Sequence, residues 1–418
     1  MKRIGLFAAA LVLAGLPSFP TALATGKPAL TIGAVYPLTT GGPPAQQEYH
    51  GFETAVHLVN ARGGVRGRQV RVILRSVVSG DQAPAAVFVL AKQHVSVIVG
   101  SESSLVGIPA SEAAQAAHVV YLEGGAVATK MTIRGQPDVF RTVVTGQTLG
   151  RSAADFAARV IAPRVHLSPR RLRIAVVYID DVYGSSVAEA QIAETRHLGM
   201  NLVGVFRYQM PGANFRQLVT NLKRSRPDVV LVAAYIPDAK EFRIETLRQH
   251  LRVDAMIGTS SSFCMPAFGK TLGWKAVGLF AADKPDASIN PRALDPAARQ
   301  LRQTATGLYD KSFGGSMTGP AVAGFVAGWV LLRQVLPFAK TYSTTSIRRA
   351  FVSVNLPRGS EINGSGIYFA RPSAGDAGQN LRATSVVWQW QSPGKATIVY
   401  PAGFARGVPR FIPLPAHP

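Results

Sequence analysis

The chain has 418 residues, 47% of them hydrophobic and 8% aromatic, and its 45 Lys and Arg against 23 Asp and Glu give a formal net charge of +22. That apolar fraction supports two or three ordered domains. It excludes collagen-like and disordered classes, and with Cys264 the only cysteine no internal disulfide can form. The densest basic run, residues 164–173, lacks the interleaved aromatics of a single-strand binder, so the charge reads as a solvated basic surface suited to anionic partners and not to nucleic acid.

Residues 1–24 read as an export signal. Lys2 and Arg3 start it, an apolar stretch covers 4–16, and Ala22-Leu23-Ala24 is a small-x-small pattern, with cleavage expected after Ala24. Cleavage leaves 43 minus 23, or about +20, on the mature chain. The longest later apolar run, 319–332, has the length of a buried helix, so no membrane span is expected after cleavage.

The mature chain alternates short β-branched runs with helical patterns. A strand is expected over 30–36. Phe52, Ala55, Val56 and Val59 then share one helical face, and Gly63-Gly64 ends that helix. Strands follow at 70–74, 95–99 and 119–122, with helices at 84–94 and 109–117. A second series predicts strands at 173–178, 202–208 and 229–233, and helices at 187–198, 215–226 and 240–251. A Pro320-led helix, an alternating strand at 386–390 and an irregular Pro- and Gly-containing tail complete the chain. Two tandem α/β series of βαβ units around parallel sheets are expected, without a flexible tether between them.

Catalytic and metal patterns fail on spacing. Gly258-Thr259-Ser260-Ser261-Ser262 ends in Ser where a nucleophile elbow needs Gly; there is no phosphate loop and no H-E-x-x-H, and the eight His are dispersed. Cys264 reads as a small buried hydrophobe, and the Asp180-Asp181 pair as a helix cap more than a proton-sharing dyad. No enzyme activity, cofactor or metal is expected. What remains are three strand-to-helix loops, where open parallel sheets bind ligands. In Gly100-Ser101-Glu102-Ser103-Ser104 the hydroxyls and backbone N–H groups either hold an anion or simply cap the helix. Glu123-Gly124-Gly125-Ala126-Val127 is the second loop, and Asp180-Asp181-Val182-Tyr183-Gly184 offers an aromatic wall.

The strings IGAVYPLTTGGPPA, NARGGVRGRQVRV, VIVGSESSLVGIPASEAA and IDDVYGSSVAEA, in this order, resemble the branched-chain amino acid (Leu/Ile/Val-binding-like) type of periplasmic solute-binding protein of ABC transporters, from about Leu30 to Trp390. The resemblance implies a type I periplasmic binding fold: two Rossmann-like lobes joined by a three-crossover hinge, with the ligand cleft between them. Lobe 1 is expected over 29–147 plus 278–357, and lobe 2 over 148–277 plus 358–418. It implies a monomer that closes on a small molecule and delivers it to an inner-membrane ABC permease and its ATPase. A periplasmic sensor reporting to a receptor or kinase, or an amide-responsive regulator, is the alternative on the same fold.

Carried over, the family site makes Ser104, with Ser103 beside it, the carboxylate site. The backbone carbonyl of Ala126, next to Gly125, is the acceptor for a ligand amino group, and Tyr183 and Tyr235 are aromatic walls. The pattern departs at Val127, where a Thr hydroxyl is usual, at Ser260, where an acid is usual, and at Ala45, where an aromatic is frequent. Leaving a buried α-ammonium without those acceptors costs roughly 2–5 kcal/mol. The expected ligand is therefore a small organic acid, aromatic or aliphatic, or a neutral amide-like compound; an amino acid would need Glu102, Glu123 or Asp180 as a substitute acceptor.

Overall fold

The computed structural model describes residues 27–260 and 262–415, so the export-signal segment lies outside the described residues. The first series runs β1 (Leu30–Tyr36), α1 (Gly42–Ala61), β2 (Val70–Ser76), α2 (Ala83–Lys92), β3 (Val97–Gly100), α3 (Ser104–Ala116), β4 (Val120–Glu123) and β5 (Val139–Arg141). Its strands form one parallel sheet in the order β2-β1-β3-β4-β5. Every residue of β3 and β4 is buried, as parallel strands covered on both faces must be.

The second series adds α4 (Gly146–Phe156), a π turn over Ala157–Ile161, α5 (Ala162–Arg164), β6 (Arg173–Ile179), α6 (Val182–His197), β7 (Asn201–Tyr208), α7 (Phe215–Arg224), β8 (Val229–Ala233), α8 (Ile236–Arg248), β9 (Ala255–Thr259), α9 (Pro266–Leu272) and β10 (Phe280–Asp283). After α10 (Pro296–Phe313), α11 (Gly319–Trp329) and α12 (Thr344–Ser353), a small hairpin pairs β11 (Asn355–Leu356) with β12 (Ile367–Tyr368). The chain ends with β13 (Val386–Ser392) and β14 (Lys395–Tyr400). The second sheet has seven strands in the order β14-β13-β10-β9-β8-β6-β7. β10 runs parallel to β9 and antiparallel to β13, so it is bonded into this sheet although the sequence reading groups 278–283 with the first lobe.

The helices after β10 return to the first sheet. α10, α11 and α12 share a core with β1, β3, β4 and α1, in which Phe52, Phe325 and Phe351 are buried. Fully burying such a side chain stabilises by about 1.5–3 kcal/mol. The helical face expected from Phe52, Ala55, Val56 and Val59 is the buried face of α1. It lies so close to α11 that a Cβ on Gly51 would sit 1.9 Å from the Ala321 carbonyl oxygen, and one on Gly324 1.9 Å from that of Glu48. Glycine is needed at both crossing points. The apolar run at 319–332 is thus core, and among the described residues no helix is long and apolar enough to cross a membrane.

One sequence expectation needs physical correction, and one that holds, the strand at 386–390, is covered on both faces. α3 begins at Ser104, five residues before the helix expected from 109, with Pro109 inside it; the proline merely deprives the Leu105 carbonyl of its usual donor. β13 alternates Val and Gln with Trp, yet its first five residues are all buried, because Val387 faces one core and Trp388 and Trp390 another. Two-sided cover erases the solvent-facing half of an alternating pattern.

Candidate ligand-binding cleft

The carboxyl ends of β3 and β4 bring the first two loops together, and one carboxylate organises them. Glu123, buried, accepts from Ser101 N at 2.7 Å, Ser101 Oγ at 3.2 Å, the Tyr121 hydroxyl at 3.0 Å, and Gly125 N and Ala126 N at 2.9 Å each. With five donors it anchors the loops and is not a spare acceptor. Ser104 is buried at the first turn of α3, where its Oγ accepts from Ala128 N at 3.1 Å. Ser103 occupies the N-cap position but its side chain makes no capping bond, so of its two readings capping is not what the hydroxyl does. Glu102 between them has φ +66, a left-handed backbone that costs a non-glycine residue on the order of 1–3 kcal/mol and that concentrates at functional loops.

Behind the second loop stands Glu48 of α1, fully buried, its Oε1 accepting from the Tyr36 hydroxyl at 3.3 Å and its Oε2 without a partner. A Cβ on Gly125 would lie 1.6 Å from that Oε2, so the loop closes over the carboxyl only because the residue is glycine. Burial, and then the charges of Glu123 and Glu102, push the Glu48 carboxyl well above its ordinary range, with Lys284 opposing.

Two cations of the chain already hold the carbonyls of this loop. Lys284, directly after β10 and 2% exposed, donates from Nζ to Gly125 O at 3.1 Å. Burial works against its charge, but Asp283, Glu102 and Glu48 outweigh it and leave the ammonium above its ordinary value. Arg141, fully buried at the end of β5, donates from Nη1 to Ala126 O at 3.3 Å and to Ala128 O at 2.7 Å. Its Nε bonds Gln379 Oε1 at 2.7 Å, and burial brings the guanidinium down to about 10 against the pull of Glu123 and Asp376.

The opposing wall comes from the carboxyl ends of β6, β8 and β9. Tyr183, buried in the first turn of α6, donates to Thr259 O at 2.7 Å, and its ring centroid lies 5.1 Å from that of Tyr235. Tyr235, the N-cap of α8, donates to Asp181 Oδ2 at 2.9 Å. Asp181 Oδ1 accepts from Gly184 N at 2.7 Å, so this acid of the Asp180-Asp181 pair does cap α6, and Asp180 pairs with Arg207 at 3.6 Å. Ser260 follows β9, buried, with φ +48 and its N–H on Ala282 O at 3.2 Å. Cys264 donates from Sγ to Asp283 Oδ2 at 2.8 Å; burial, with Asp283, pushes the thiol well up, which keeps it protonated and a poor nucleophile.

The two walls face each other. Val127 packs in the same buried cluster as Tyr183, and Glu102 is among the charges that push up the Tyr235 hydroxyl, after burial and Asp181. At the rim, Ser186 Oγ of α6 accepts from Thr129 N at 2.8 Å. Ser103, Ser104, Gly125, Ala126 and Val127 are thus gathered on one side, and Tyr183, Tyr235 and Ser260 on the other, while Ala45 is buried in α1. Sequence reasoning missed Glu48, Arg141 and Lys284. Glu48 did leave a signal, an acid four residues before Phe52 on an otherwise apolar helical face.

Two α/β lobes with strand-end loops converging on a shared cleft define a two-lobed ligand-binding protein of the type I periplasmic fold. The sequence model of the periplasmic binding protein family matches residues 29–336, and the chain belongs to that family. The Leu/Ile/Val-binding protein homolog 8 of Brucella suis biovar 1 (strain 1330) is 28% identical over 397 residues, covering 94% of this chain and 95% of that protein. Among solved structures, the ABC transporter substrate-binding protein of Desulfitobacterium hafniense in complex with Leu superimposes with a TM-score of 0.70 at 21% identity, covering 89% of this chain and all of that one. An R. palustris solute-binding protein in complex with benzoate gives 0.72 at 16% identity over 90% of this chain and 97% of its own. These relatives are solute-binding proteins, not enzymes.

Proposed function

We propose that the chain is an exported receptor, its leader cleaved after Ala24, that closes its lobes on a small carboxylic acid or neutral amide-like solute and delivers it as a monomer to an inner-membrane ABC permease and its ATPase. The observation that carries the ligand class is the state of the second loop. Ala126 O, the acceptor an α-ammonium would need, already takes a hydrogen bond from Arg141, and the adjacent Gly125 O takes one from Lys284. Val127 adds no hydroxyl and Ser260 no carboxylate. Lys284 brings the positive charge from within the chain, so a ligand ammonium would meet a like charge, whereas a carboxylate or amide oxygen gains a donor. Ser103 and Ser104 supply hydroxyls beside it, and Tyr183 and Tyr235 an apolar wall. The benzoate complex of the R. palustris protein is in keeping with such a ligand, and the Leu complex of the Desulfitobacterium protein stands for the amino acid alternative.

The test is a thermal-shift screen of the mature protein against aliphatic and aromatic acids, amides, ureas and amino acids, followed by calorimetry on the hits. Ligand raises apparent stability with concentration whatever the transporter. Acids or amides lacking an amino group are expected to bind more tightly than their α-amino counterparts, and Ser104→Ala to weaken an acid hit about tenfold or more. Tight binding of leucine, isoleucine or valine with no response to acids would overturn the ligand class.

A further inference from the structure

Between α10 and the β13–β14 hairpin lies a cavity of about 710 Å³, within the size range of small-molecule sites. Arg302 of α10, Lys395 of β14, and Arg406 and Arg410 of the segment after β14 line it. Among the described residues that line it there is no Asp or Glu, and none of them belongs to the ligand cleft. The backbone of the segment is pinned to the hairpin: Arg406 N donates to Ile398 O at 2.8 Å, Gln391 Nε2 to Val408 O at 2.7 Å, and Arg410 N to Gln389 Oε1 at 2.7 Å. The charged ends are left over. Lys395, Arg406 and Arg410 are exposed, and none of their side chains makes a hydrogen bond or ion pair with another described residue. Arg302 is partly buried, with Nη1 donating to Ile289 O at 3.1 Å. Burial, and then the charge of Arg406, draw its guanidinium below the ordinary value; Asp286 opposes them from outside the lining, its Oδ1 accepting from Ser288 N at 2.6 Å.

Four cations that share one cavity without an acid repel one another and sum their fields inside it, so an anion that enters relieves the repulsion and meets donors it can reach. A single carboxylate answers one of the four charges, whereas several oxygens on one small molecule answer them together. We propose that this cavity is a second binding site, distinct from the ligand cleft, for a small multiply charged oxyanion, a polyphosphate or polycarboxylate held by Arg302, Lys395, Arg406 and Arg410.

The experiment titrates the full mature protein by calorimetry with tripolyphosphate, citrate and acetate, in chloride buffer of fixed ionic strength. Tripolyphosphate or citrate is expected to bind saturably, one per chain, and at least about tenfold more tightly than acetate. The tighter of the two fixes whether the groups recognised are phosphates or carboxylates. Arg406→Gln with Arg410→Gln, at exposed side chains that bond nothing, should fold as wild type does and weaken that binding about tenfold or more. Lys395→Gln alone should weaken it about fivefold. Arg170→Gln with Arg171→Gln removes the same charge from another exposed stretch and should stay within about twofold of wild type. Ser104→Ala should keep the wild-type affinity for the same probe. A wild type that binds neither probe saturably overturns the site. So does equal weakening in the two double variants, which would make the binding an effect of net charge, and so does a loss confined to Ser104→Ala, which would put the anion in the cleft.

Discussion

Lys284 and Arg243 are equally buried, at 2% exposure each, yet burial leaves them on opposite sides of their ordinary values. Lys284 stands among Asp283, Glu102 and Glu48 and is raised. Arg243 is acted on by burial alone and is lowered. Desolvation penalises both charges alike, so the neighbours decide the sign. The cleft therefore invests its cation in a network that spans both lobes, whereas the guanidinium of Arg243 has a backbone carbonyl, that of Lys275, as the partner of its Nε. The same contrast recurs among the acids: Glu123 collects five donors, while Glu361 is buried with Oε2 unpartnered.

Removing the partnered cation should have the largest effect. Lys284→Met strips Asp283, whose Oδ1 already lacks a partner, and Glu102 of their compensating charge, and frees the Gly125 carbonyl. Breaking a buried charge network by deleting one member costs about 3–5 kcal/mol. The variant should show that loss in urea denaturation, and in calorimetry at least a hundredfold loss of affinity for an acid ligand. Undiminished affinity would remove Lys284 from the ligand's surroundings; undiminished stability would mean the acids are neutralised some other way.

The lone acid gives the next largest effect, and one that depends on pH. Burial, and then Asp295, push the Glu361 carboxyl up to about 8. The folded state therefore holds this proton more tightly than the unfolded chain does. The resulting stabilisation is complete below the ordinary carboxyl range near pH 4 and is lost as pH rises to about 8, by about 1.4 kcal/mol per pH unit. Glu361→Gln should abolish that slope, so that the variant gains on wild type by a few kcal/mol between pH 5 and pH 8 in paired urea curves. Parallel pH profiles would show that Glu361 does not carry the proton.

How much of this was legible in the sequence follows from the same distinction. Hydrophobic period and β-branched runs predicted the strands 30–36 and 229–233 and the buried face of α1, because both are set by local pattern. They did not predict β9, β10 or α10: β9 and β10 carry Gly or Ala where a strand signal needs β-branched residues, and their burial comes from β8 and β13 laid alongside. Within the cleft, the loop residues Ser103, Ser104, Tyr183 and Tyr235 were accessible through family resemblance. Lys284 and Arg141 were not, since each acts through a carbonyl more than a hundred residues away or in the loop that follows the neighbouring strand, and a basic residue at a strand end carries no local mark of that pairing.

A neutral pair sets the scale against which these charges are read. Tyr183→Phe deletes the 2.7 Å bond to Thr259 O but keeps the ring against Tyr235, and Thr259 O retains the Ser262 hydroxyl at 3.1 Å. With one donor still in place, the expected loss of stability is about 0.5–1.5 kcal/mol. Because the Tyr183 hydroxyl is directed at the protein's own backbone, ligand affinity should change less than about threefold in calorimetry. A drop of tenfold or more would mean that the hydroxyl turns from Thr259 to the ligand on closure. The second lobe would then contribute a polar contact of its own, and the division of the cleft into a charged wall and an aromatic wall would fail at this residue.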